Sequence, residues 1–207
     1  MNPLTMFETA WARCDQLSAL HAYLAANVTA VLQPDEILRA EWAARVSALD
    51  LYIHELVAQR LCEIFAGTRP PVPGFGKFQI DAASLLASVQ NPGAFQSQID
   101  LEIRSKLERR TFQYPADIAD GVRCVSNVEL WNSIALADGA TEQTKVEHSK
   151  TIRNQLTQIV NRRNKIVHEA DLQPVVPRVP WPISVPDVLT VRSFVEKIVR
   201  AIDAVVT

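Results

Sequence analysis

The sequence predicts an all-α protein, a helical bundle built on two long helices. Three observations carry that prediction. Residues 36–66 and 142–170 each repeat apolar side chains at helical spacing along one stripe. Val and Ile do not fall into the short alternating runs that mark strands. Only six glycines occur in 207 residues, while hydrophobic residues make up 48%, so the chain has enough apolar surface to bury a sizeable core.

The elements follow in order. Residues 4–31 read as a first helix, with Phe7, Trp11, Leu17, Leu20 and Leu24 as its buried positions. Pro34 ends the linker, and residues 1–34 are expected to form an N-terminal helical extension. Asp35 is placed to cap the first long helix and Gly67 to stop it. Within it Trp42, Val46, Leu49, Ile53, Leu56 or Val57, and Ile64 recur at helical spacing. "TRPPVPGFGKF" is a turn-rich break, followed by a short helix at 81–88. "NPGAF" breaks the chain again before a helix at 94–110. Pro115 suits the first turn of the next helix. Trp131 belongs to a short helix at 128–136, and "ADGAT" is a loop. The second long helix is predicted at 142–170 and expected to pack antiparallel to the first, since each offers a single apolar stripe. Residues 172–186 hold Pro174, Pro177, Pro180, Pro182 and Pro186, which excludes helix or central strand. Apolar helices bracket this stretch, so it is expected to be an ordered strap, with Trp181 read as a plug in the core in preference to a base-stacking platform. A last helix is predicted at 186–205. With no internal repeat, residues 1–207 read as one domain.

Composition excludes several classes of function. A net charge of −2 is wrong for a protein that coats nucleic acid, so any contact with RNA must come from local patches. Cys14, Cys62 and Cys124 are widely spaced and form no CxxC pair, which indicates neither a zinc site nor a disulfide framework. His21 and His148 lack companions at ligand spacing, and no metal or cofactor is expected. No apolar run approaches a membrane span. The first residues carry acids and lack a long apolar core, so no signal peptide is expected, and a cytoplasmic protein with reduced thiols is expected.

Chemistry concentrates in "NRRNKIVHEAD", residues 161–171. Ile152, Leu156, Ile159, Arg163, Ile166 and Ala170 share one helical stripe, so Arg163 stands where an apolar side chain belongs. A buried Arg must be paired, or must face a polar cavity or interface. Val160, Asn164, His168 and Asp171 form the adjoining face, on which Asn164 and His168 are an i, i+4 pair. Arg-Asn-x3-His arises by chance in roughly one chain in a hundred of this composition. The bland alternative is a solvated basic helix end.

"RNKIVH", Arg163 to His168, resembles the signature of the HEPN superfamily. The wider "NRRNKIVHEADL", together with "ALDLYIHELV" and "TFQYPADIADGV", is similar to the bacterial RiboL-PSP-HEPN-like group. That resemblance implies a helical bundle whose two long helices carry the site, commonly as a homodimer. It also implies a metal-independent ribonuclease of toxin–antitoxin or anti-phage defence systems, held by an antitoxin or another regulatory protein. Some members are inactive binding modules.

The residue chemistry points the same way. RNA carries its own nucleophile, the 2′-hydroxyl. Cleavage then needs proton transfer, which suits His168, and charge stabilisation at phosphate, which suits Arg163. Asn164 either orients the imidazole or binds a phosphate or ribose oxygen. One His per chain is thin for both acid and base, so a homodimer with a composite site is expected. Products would carry 2′,3′-cyclic phosphate and 5′-hydroxyl ends. Asp50 and His54, another i, i+4 pair, either support the site (Asp50 by holding Arg163) or form an exposed intrahelical pair. Glu55 reads as solvated. Asp171 either orients His168 or caps a frayed end. Arg162, Lys165, Arg109 and Arg110 are placed to track an RNA backbone, or simply form a solvated basic face; Arg104 and Lys106 favour the latter. The alternative function is a non-catalytic module binding RNA, a nucleotide or a protein.

Overall fold

The computed structural model describes residues 2–27, 33–90 and 92–206. Among them are eight α-helices: α1 Pro3–Asn27, α2 Asp35–Phe65, α3 Ala82–Gln90, α4 Phe95–Glu108, α5 Pro115–Arg123, α6 Leu130–Ala137, α7 Lys145–Glu169 and α8 Val185–Val206. Among the described residues the only bridge pairing joins Leu172 to Pro180 inside the strap. The all-α class is therefore observed. Among the described residues no helix is long and apolar enough to cross a membrane.

α2 is the central element. It packs against α1, α4, α5, α7 and α8, while α6 fills the space between α7 and α8. One apolar cluster runs through the molecule, from Phe7 and Trp11 through Leu49, Ile53 and Leu56 to Ile103, Ile118, Trp131, Leu156 and Ile198. Two polar contacts set the helices' register. Trp42 Nε1 donates to the Ile159 carbonyl of α7 at 3.0 Å, and Tyr52 donates to Asp203 of α8 at 3.0 Å.

The end of α2 shows why Gly67 stands there. Its φ is +72°, a left-handed conformation natural to glycine. Thr68 N–H bonds back to the Glu63 carbonyl and Gly67 N–H to that of Ile64, which satisfies the last turn's acceptors in a Schellman arrangement. Asp35 does not cap α2. It is the helix's first residue, after Pro34, and its carboxylate lies 3.6 Å from His21 of α1.

α1 corrects the expected stripe. Phe7, Trp11, Cys14 and His21 are buried, Leu17 and Leu24 are half-buried, and Leu20 is exposed. Positions 7, 11, 14 and 21 follow the helical repeat closely, whereas Leu20 lies nearly opposite. The helix ends at Asn27; the expected continuation over 28–31 lies outside the described residues. Trp181 is also corrected: it is 36% exposed, and Ile183 is the strap residue that plugs a small cluster with Leu38, Val188 and Trp42.

Charge is buried where the sequence offered only hydrophobic pattern. Arg45 is fully buried, donating to Glu41 and to Asp15 at 2.7 Å, with its guanidinium 4.3 Å above the Trp11 ring. Its desolvated pair is with Glu41 inside α2, and its link to α1 is the pair with the 41% exposed Asp15.

Candidate functional site

α7 carries the motif because its own stripe anchors it. Ile152, Leu156, Ile159 and Val160 are buried, and the run stops short of Arg163. From there towards Glu169 the helix emerges: Arg163, Asn164 and Ile166 are half-buried, and Lys165, Val167 and His168 are exposed.

Arg163 and Asn164 are brought together. One Arg163 Nη donates to Asn164 Oδ1 at 3.0 Å. Asn164 Nδ2 in turn donates to Tyr114 Oη at 3.0 Å, and the Tyr114 hydroxyl donates to Asn161 Oδ1 at 2.9 Å. The amide of Asn164 is thus fixed from both sides. Arg163 Nε is buried and lacks a hydrogen-bond partner, an uncommon state for a cation's donor. Tyr114 is the residue that sequence reasoning missed. It lies at the mouth of α5, directly before Pro115, within the quoted "TFQYPADIADGV". A phenol in extended backbone before a helix-starting proline was the signal available.

His168 is not part of this chain of bonds. It is exposed and, among the described residues, has no hydrogen-bond or ion-pair partner. Five residues separate it from Arg163, which places their side chains about 140° apart around the helix. Asn164 lies between them, 40° from His168 on the same measure.

Asp171 does not reach His168 with its bonded oxygen. It is fully buried, and one carboxylate oxygen accepts from Arg39 Nε at 3.1 Å and from Arg162 Nη2 at 2.6 Å. α7 ends here because Ala170 and Asp171 both adopt left-handed conformations, φ 51° and 55°. The strap then folds back, with Trp181 N–H donating to the Asp171 carbonyl at 2.8 Å. Arg162 is corrected with it. Its guanidinium is taken up by Asp171 and the carbonyls of Trp181 and Pro182, and lies 5.8 Å from the Trp42 ring centroid, so it holds the strap rather than facing an RNA backbone.

Asp50 and His54 lie next to the site by another route. Asp50 accepts from the Phe112 N–H at 2.6 Å and from Gln113 at 3.3 Å, so it anchors the segment that presents Tyr114 and does not hold Arg163. His54 sits 3.7 Å from Asp50 and packs edge-on against the Phe112 ring. Lys165 is exposed with its ammonium 5.9 Å from the Trp181 ring centroid. Arg109 and Arg110 are exposed at the end of α4. Arg104 and Lys106 are committed to carboxylates, Arg104 to Glu55 and Asp100, Lys106 to Asp81. Glu55 is therefore mostly buried in an ion pair rather than solvated.

Burial pushes the thiols of Cys14, Cys62 and Cys124 above the usual range, Cys62 to about 12. Among the described residues no group of three or more His, Cys, Asp or Glu is arranged to hold a metal ion. Comparison of the chain with protein-family models, curated proteins and solved structures gave no match.

Proposed function

We propose that the protein is a metal-independent endoribonuclease of HEPN type, with Arg163, Asn164 and His168 as its catalytic residues. The observation that carries this reading is the fixed Arg163–Asn164–Tyr114 chain at the end of α7, with an unpartnered, solvent-facing His168 one turn on. A histidine retained for packing would be buried and bonded.

In the proposed reaction an imidazole removes the 2′-hydroxyl proton, and the oxygen attacks the adjacent phosphorus. Arg163 faces the phosphate oxygens as charge builds on them. A second proton donor releases the 5′-oxygen. The products are a 2′,3′-cyclic phosphate and a 5′-hydroxyl. RNA supplies the nucleophile, so no metal is needed to generate one. Asn164, clamped by Tyr114, holds the guanidinium in place.

The wide angle between Arg163 and His168 supports a composite site in a homodimer, where the His168 of one protomer serves the Arg163 of its partner. α2 and α7 are taken as the antiparallel pair of the HEPN bundle. Contacts of Arg39 with Asp171 and of Trp42 with Ile159 support this, because they join the start of α2 to the end of α7. A role in toxin–antitoxin or defence systems, restrained by a regulatory protein, belongs to the same reading.

The test is to incubate purified protein with a mixed RNA pool in EDTA, beside His168→Ala. Cleavage by the wild type alone supports the nuclease. Absence of cleavage by the wild type, freed of any partner, favours the non-catalytic binding module, which the separation of Arg163 from His168 within one chain would also suit.

A further inference from the structure

A second cationic feature lies on α7, upstream of the motif. An open cleft of about 600 Å³ is bounded by the turn at 73–77, the end of α5, the start of α6 and the first half of α7. Lys77, Arg123 and Arg153 line it, against one carboxylate, Glu129, which Asn132 holds at 3.0 Å. Arg123 is paired with Asp120. Among the described residues Lys77 and Arg153 have no carboxylate partner; Arg153 donates only to the Ser149 carbonyl at 3.3 Å.

The cleft depends on a close approach of backbone. A Cβ at Gly74 would stand 1.9 Å from the Arg123 carbonyl oxygen, so only glycine lets this turn seat against the end of α5. That contact brings Lys77 to the rim beside Arg123. With Arg123 paired, two cations without an ion-pair partner among the described residues face the single Glu129 carboxylate, and a net positive, polar, open cleft suits an extended polyanion better than an enclosed small molecule.

Its position relates it to the motif. Arg153 and Asn164 are eleven residues apart, which places them within about 20° of each other around α7 and about 16 Å apart along it. α5 bridges the two places: Tyr114 at its start meets Asn161 and Asn164, and Arg123 at its end lines the cleft.

We infer that this cleft binds backbone phosphates of a single-stranded RNA whose neighbouring nucleotides reach Arg163 and Asn164. The inference rests on the nuclease reading for the identity of the polyanion. The cleft accounts for binding without basic overall charge, since Lys77 and Arg153 supply the phosphate contacts locally. Sequence preference would have to come from elsewhere, because a cationic cleft reads phosphate and not bases.

The test uses a fluorescent 2′-O-methyl RNA 12-mer, which lacks the nucleophile and cannot be cleaved. Its anisotropy with the full chain is followed against salt. Lys77→Glu with Arg153→Glu should weaken binding at least tenfold and flatten the logarithmic salt dependence by about 1.4, at about 0.7 per lost single-strand contact. Both residues are exposed, so the circular dichroism spectrum and melting temperature should stay the same. Arg153→Lys should bind nearly as the wild type, since charge alone serves phosphate. Unchanged binding by the double variant overturns the cleft assignment, even where His168→Ala shows that cleavage itself is genuine. Wild type that fails to bind the 12-mer also overturns it, as does AMP that displaces the 12-mer at concentrations where phosphate alone does not. Binding that the double variant abolishes, in a protein that cleaves nothing, upholds the cleft and removes the nuclease.

Discussion

Asp171 locks the end of α7 to the strap, and its removal should be costly. Asp171→Ala strands two guanidinium groups that now share one carboxylate oxygen. Breaking a buried ion pair from one side costs about 3–5 kcal/mol. The Arg39 side chain is 9% exposed but Arg162 is 24% exposed and regains water, which favours the lower end. Alanine in a left-handed backbone adds about 1 kcal/mol. The sum is about 4 kcal/mol, or about 8–16 °C in melting temperature for a chain of this size. Asp171→Asn should lose about half as much, because asparagine tolerates the conformation and keeps an acceptor. Urea melts followed by circular dichroism measure both, and limited proteolysis should show the strap cut first. A loss below about 1 kcal/mol in Asp171→Ala, or equal losses in the two variants, would refute the lock.

Three other outcomes follow from single residues. Tyr114→Phe removes the hydroxyl between Asn161 and Asn164, at a cost of about 0.5–1.5 kcal/mol; RNA cleavage should fall several-fold in a gel assay while the fold survives. Gly67→Ala meets no atom but is strained at φ +72°, so it should destabilise by about 1 kcal/mol in urea titration. Burial, then the hydrogen bond to Asp100 and its charge, raise Cys62 to about 12. Raising the pH to 8 therefore ionises only about one Cys62 thiol in ten thousand, and Ellman's reagent should react slowly with it until guanidinium unfolds the chain.

The helices were legible where local chemistry decides. α2 is read from its stripe and from Gly67, α5 from Pro115, and the strap from its prolines, except that Pro186 stands in the first turn of α8, where a proline needs no N–H partner, and not in the strap. In α1 Phe7 and Trp11 were read correctly, but Leu20 was preferred to Cys14 and His21, because leucine is the more apolar residue and only the partner helix decides which face is covered. Buried charge was not legible. Arg39 and Asp171 are 132 positions apart, and nothing in either neighbourhood announces the pair. For the same reason Arg162 read as an RNA contact, when it holds the strap. Of the site, Arg163, Asn164 and His168 stood out through one helix's periodicity. Tyr114 did not, because its meeting with Asn164 depends on how α5 lies along α7.

The most direct measurement is cleavage of a single-stranded RNA in EDTA by wild type, His168→Ala, Arg163→Ala and Arg163→Lys, with end-group analysis of the products. Wild type should yield 2′,3′-cyclic phosphate and 5′-hydroxyl ends and leave DNA intact. His168→Ala should lose about 10²–10⁴-fold in rate with its helix content unchanged. Arg163→Ala should be greatly impaired, and Arg163→Lys should not restore full activity, because an ammonium lacks the planar fork. Mixing His168→Ala with Arg163→Ala should recover part of the activity if the site is shared across a dimer. Equal cleavage by wild type and His168→Ala would contradict the account, whatever the RNA.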